Sequence, residues 1–432
     1  MADMPTGTAH GALTHVGDDV TRRREAGTSS TAGFFPLARV MIHSPNRVSS
    51  SEDKLIRTRL PSTTLLQYAL TALLLAAFSG AFAQEAEQAP LDPATLIENG
   101  AFYLDRGDCA LAQFFYQEAL RSEPSNAVAL VGKGRSLSCQ GAYKAAIDAF
   151  QAAQAADPNL VDAHVYLAIT YQNQFQSDPT AYSGRLADAL DTIQRAERIK
   201  PDDWRVQNTK GVILYLLGDL AAARTTLERA VTLVSADTSV SSLSANEKST
   251  VQVNLGRVYR DLSEFDLALA AFRRAVVIDP SSATAHNNLG NIAYRIGDCA
   301  TAEYELSQAA SLAPDSVSSV SQLGIALFEC GDVAGSVSKL EAAVALEGAV
   351  FLPPVYTYLA RAYLTVGRID EAVKYAEYGS LLPPPSADAY YWLGKAYQRR
   401  AGSNDQANAK RSFERALELD PNYKAARTEL GQ

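Results

Sequence analysis

Cys109, Cys139, Cys299 and Cys330 are the four thiols of this 432-residue chain, and they fall into two sets spaced thirty and thirty-one residues apart. Such groups can close bridges, ligate a soft metal or lie inert in a core. Metal ligation fits least, because zinc sites gather their ligands at short spacings and no His stands near either set at ligand spacing. The five histidines add no site of their own. His10, His15 and His43 lie in a polar leader, and His164 and His286 occupy positions that read as core packing. No phosphate loop, nucleophile elbow, metal motif or dinucleotide fingerprint occurs, so the sequence predicts neither catalysis nor a cofactor.

What must position these side chains is a repeat. Between residues 249 and 314 two copies of one 34-residue unit lie end to end: Gly256, Ala268, Phe272, Ala275 and Pro280 recur as Gly290, Ala302, Leu306, Ala309 and Pro314. A period of this length with a turn in its middle fits a helix–turn–helix hairpin. The small residue midway along the first helix lets the second approach closely, and the Ala of the second helix is expected to face it. Gly107, Gly141, Gly218, Gly297, Gly331 and Gly367 stand at the turn, where left-handed dihedrals end the first helix. Pro closes the unit because it lacks the donor that a continuing helix needs.

The same phase extends over nine units. Units one to four occupy residues 94–234, a Ser-rich connection covers 235–248, units five to nine occupy 249–422, and residues 423–432 begin a short capping helix. Ser244 and Glu247 have capping-box spacing, which places the next helix start near Ala245. Unit three carries extra residues around 176–184. The set of small residue, aromatic or Leu, Gly, Ala, aromatic or Leu, Ala and Pro resembles the tetratricopeptide repeat family across residues 94–422. Units one, two, five and six match best, and the family's usual first-helix Trp is absent. The resemblance implies an all-α fold, a right-handed superhelix of nine hairpins. Its first helices would line a concave groove that holds a peptide or partner helix, without catalysis.

In such a stack the second helix of one unit runs antiparallel to the first helix of the next. Cys109 and Cys299 sit in the first turn of second helices, and Cys139 and Cys330 at the ends of first helices. The stack therefore implies bridges Cys109–Cys139 and Cys299–Cys330, with four buried thiols as the alternative. Cys139 stands one residue off the register of Cys330. By the family's geometry one offset of the first helix points inward. Here it reads Arg135, Ile169, Val212, Arg257, Asn291, Ile325, Arg361 and Lys395. Arg260, Asn287, Tyr294, Arg295, Tyr391, Gln398 and Arg399 stand beside it. This basic, amide-bearing row implies a groove for an acidic peptide, a chain-terminal carboxylate or an anionic glycan. The alternative is solvated charge paired with carboxylates such as Asp261, Glu264 and Asp388.

A formal net charge of −9 gives no support to nucleic-acid binding. Residues 1–60 read as a disordered leader, or as untranslated sequence before a later start such as Met41. Residues 61–83 read as a secretory signal: Lys54, Arg57 and Arg59 precede the apolar run 65–82, and Ala81-Phe82-Ala83 makes an A-x-A site. An uncleaved membrane anchor is the alternative. Residues 84–93 form a polar linker. The sequence thus predicts a non-catalytic scaffold of the periplasm or cell envelope, bound to a protein or peptide and free of a membrane span once the signal is removed. Two other readings stay open: a structural subunit that self-associates through its open ends, and the repeat portion of a glycosyltransferase lacking its catalytic domain.

Overall fold

The structure, a computed structural model, describes residues 91–236, 244–346 and 352–432. The predicted leader, the signal segment and most of the linker lie outside the described residues. Within them are nineteen α-helices and no strand. Units one to four pair α1 (Pro93–Asp105) with α2 (Cys109–Ser122), α3 (Ala127–Cys139) with α4 (Tyr143–Ala156), α5 (Val161–Ser177) with α6 (Arg185–Ile199), and α7 (Trp204–Leu216) with α8 (Leu220–Ala236). Units five to seven pair α9 (Ala245–Asp261) with α10 (Phe265–Ile278), α11 (Ala283–Arg295) with α12 (Cys299–Leu312), and α13 (Val317–Glu329) with α14 (Val333–Ala345). Units eight and nine pair α15 (Pro353–Thr365) with α16 (Ile369–Leu381) and α17 (Ala387–Arg400) with α18 (Asp405–Leu419); α19 (Lys424–Glu429) follows.

The helix ends follow from local chemistry. Ser244 accepts from the Glu247 amide at 3.2 Å while Glu247 accepts from the Ser244 amide at 3.0 Å, so α9 starts at Ala245 as its capping box predicts. All six predicted turn glycines have positive φ, between 71° and 95°. In units five and nine Ser263 (φ 63°) and Ala401 (φ 55°) take that left-handed place instead. Extra residues in unit three lengthen α5 to 17 residues and form the turn that precedes α6.

A Cβ at Gly256 would stand 2.6 Å from the Phe272 ring, and one at Gly134 2.6 Å from Phe150. The first-helix glycine thus admits a second-helix side chain four residues after the Ala, Phe272 after Ala268 and Phe150 after Ala146, across bare backbone. Ala268 and Ala146 are fully buried. The apolar core also runs on past the Ser-rich connection: Ala223 and Leu227 of α8 share one cluster with Val253, Phe272 and Ile292 of α9, α10 and α11.

First helices of successive units touch each other along the whole stack, from α1 with α3 to α15 with α17. Among the described residues no pair of second helices makes contact of that extent. First helices therefore crowd the tighter side of the curve and make its inner wall. At two seams the stack is covalent. Cys109 is joined to Cys139 with Cα atoms 6.2 Å apart, and Cys299 to Cys330 at 5.8 Å.

Candidate functional site on the inner wall

The inward offset places Arg135, Arg257, Asn291, Arg361 and Lys395 on α3, α9, α11, α15 and α17, but it does not leave its cations bare. The Arg135 guanidinium lies 4.5 Å from the Tyr166 ring centre and that of Arg257 5.4 Å from the Tyr215 ring centre. Arg361 is enclosed by three rings, Phe328 at 4.8 Å, Tyr358 at 4.5 Å and Trp392 at 4.9 Å, and its Nη2 meets Glu329 at 3.0 Å. A cation over a ring gains roughly 0.5–2 kcal/mol, more as water is excluded. Only 18% of the Arg361 side chain is exposed, and its Nε is buried with no hydrogen-bond partner. Burial pushes the Tyr358 and Tyr294 hydroxyls above the ordinary phenol range, with Arg361 opposing it.

The flanking positions divide. Arg260 pairs with Asp261 at 2.7 Å, and the Tyr215 hydroxyl donates to the same carboxylate at 2.6 Å. Burial works against that carboxylate, yet Arg260 and Tyr215 outweigh it and hold the Asp261 pKa below its usual value. Lys395 pairs with Glu429 at 2.8 Å. Tyr391 joins an aromatic cluster with Trp392, Phe413 and Tyr423. Of the carboxylates expected to answer the row, Asp261 does so. Glu264 pairs with Arg224 and Asp388 accepts from the Tyr423 hydroxyl. Arg295 is exposed and stacks on Phe265 at 5.0 Å, across the seam between α10 and α11. That seam is of the kind the cysteines bridge elsewhere. Arg399 is exposed near the end of α17.

Between the cation clusters the wall is lined by amides. Asn254 of α9 donates to Asn208 of α7 at 3.0 Å, Asn287 and Asn291 lie half-buried on α11, and Gln322 of α13 donates to Ser318. The Asn287 Oδ1 is buried without a partner. Sequence reasoning missed Tyr166, Tyr215, Phe328, Glu329 and Tyr358. Tyr166 and Tyr358 precede the inward offset by three positions, and Tyr215, Phe328 and Glu329 follow it by three or four, so helical spacing alone could have found them. Among the described residues no group of acidic, His and Cys side chains could hold a metal, and no helix is long and apolar enough to cross a membrane.

Family models described as tetratricopeptide repeat match residues 101–160, 181–238 and 387–423, and one described as TPR repeat matches 256–297. The anaphase-promoting complex subunit CDC16 of Saccharomyces cerevisiae is 24% identical over 207 residues, 48% of this chain and 23% of that protein. A probable UDP-N-acetylglucosamine–peptide N-acetylglucosaminyltransferase, SPINDLY of Hordeum vulgare, is 25% identical over 175 residues, 40% of this chain and 17% of that protein. The chain thus spans less than a quarter of either curated relative. The crystal structure of the APC/C hetero-tetramer Cut9-Hcn1 superposes with a TM-score of 0.52 at 14% identity, over 76% of this chain and 63% of that one, a likeness of fold. Nine stacked hairpins, glycines fitted under second-helix rings and repeat matches spread along the array lead to one conclusion: the chain belongs to the tetratricopeptide repeat family.

Proposed function

We propose that the protein is a non-catalytic scaffold that holds a protein or peptide partner along its inner wall, and that it works in the cell envelope after export. Proteins of this repeat family bind proteins or peptides. The observation that carries the reading here is the run of amide side chains on α7, α9 and α11, Asn208, Asn254, Asn287 and Asn291. An amide can both donate to and accept from an extended backbone, so such a wall holds a chain without demanding one sequence. The stacked arginines beside it stiffen the wall. The two cysteine pairs at bonding distance fit an oxidising compartment, as does the upstream A-x-A segment.

Capture from an envelope fraction tests the wall. The full chain recovers a saturable partner, and the triple variant Asn254→Ala, Asn287→Ala, Asn291→Ala recovers less than about a tenth as much, two or three lost hydrogen bonds at about 1 kcal/mol each. Circular dichroism of the variant checks that the helices persist. Equal recovery by both proteins would overturn the amide-wall reading.

A further inference from the structure

Glu429 stands at the inward offset, thirty-four residues after Lys395, as Lys395 stands thirty-four after Arg361. Both of its oxygens are held by α17: Lys395 Nζ donates to Oε1 at 2.8 Å and Gln398 Nε2 donates to Oε2 at 2.8 Å. We propose that Lys395 and Gln398 form a carboxylate subsite at the far end of the inner wall, and that Glu429 of α19 fills it until an acidic side chain of a bound partner takes its place. The proposal deepens the wall reading above and rests on it.

Two features make this pair exchangeable where the Arg361–Glu329 pair is not. Glu329 belongs to the 13-residue α13, and rings from three helices cover its arginine. Glu429 belongs to a helix of six residues, too short to persist without its contacts. Those contacts are few: Ala426 is its one buried residue, Tyr423 and Leu430 on either side are partly buried, and the Tyr423 hydroxyl donates to Asp388 at 2.8 Å. Elements held by so little open at low cost. Lys395 and Gln398 belong to the 14-residue α17, which outlasts so short a helix as α19.

Fluorescent hexaglutamate, with hexaglutamine as its uncharged control, is titrated onto the full chain. Glu429→Gln removes the internal carboxylate and leaves both donors, so hexaglutamate binds this variant about tenfold more tightly than wild type, while hexaglutamine binds both alike. The double variant Glu429→Gln, Lys395→Met loses the gain. Both variants break the same ion pair, so a gain that came only from loosening of unit nine would persist in the double variant and would sink the proposal. An unchanged hexaglutamate affinity in Glu429→Gln would sink it too. Normal partner recovery that depends on the asparagines of α9 and α11, with no gain in Glu429→Gln, removes the subsite and leaves the wall; a gain without such dependence does the reverse.

Discussion

Ser263 occupies a backbone position that elsewhere in the array belongs to glycine, with φ at 63°. A side chain in the left-handed region costs roughly 1–2 kcal/mol, and glycine's extra freedom in the unfolded chain returns about 0.4–1 kcal/mol of that. Ser263→Gly is therefore expected to raise stability by about 0.5–1 kcal/mol, read as a higher denaturant midpoint at unchanged m-value. Asp405 makes an opposite case. It is almost fully buried and accepts from Arg400 Nε at 2.8 Å, Arg400 Nη2 at 2.7 Å and the Gly402 amide at 2.8 Å. The Arg400 fork holds its pKa down to about 2. Its folded value lies below its unfolded value of about 4, so its stabilisation is complete above about pH 4 and fades as pH falls toward 2. Asp405→Asn should lower the melting temperature at pH 7 and leave it nearly unchanged at pH 2; an equal loss at both values would show that the ion pair is not the cause.

Helices were largely legible from the residue pattern, because each boundary has a local cause. Ser244 and Glu247 announce α9, and Gly218 and Gly367 end α7 and α15 after one further residue. Ser244→Ala removes the side-chain half of that box and should cost about 1 kcal/mol, whereas Ser244→Asp should cost far less, since aspartate caps as well. What packs between helices was less legible. The repeat offset singles out Arg361, yet its three rings come from α13, α15 and α17, and nothing in one helix records what its neighbours supply. Arg295 shows the same gap. It ends α11, and there it meets Phe265, which begins α10 across the seam. Cys139 lies inside its helix and Cys330 one residue past the end of its own, yet both reach their partners.

Among the described residues the extensive helix contacts join neighbouring units, so stability adds up along the stack instead of residing in one centre. The two cysteine pairs each tie a unit to the next one, units one to two and six to seven. Protein unfolded without reductant should show no thiol open to alkylation, and four labelled sulfurs would refute both bridges. Replacing Cys299 and Cys330 together by Ser should destabilise units six and seven by up to roughly 3–4 kcal/mol while units three and four keep their hydrogen-exchange protection.

Those two covalent ties also decide how the protein answers a pull on its ends. Most of the array can pay out hairpin by hairpin like a ratcheted spring, but the 30 and 31 residues that separate the bonded cysteines cannot be drawn straight while sulfur holds sulfur. At about 3.5 Å per extended residue each tie conceals roughly 100 Å of reach. In an oxidising space this chain is a shorter tether than its residue count suggests, and a reductant would lengthen it in two discrete steps.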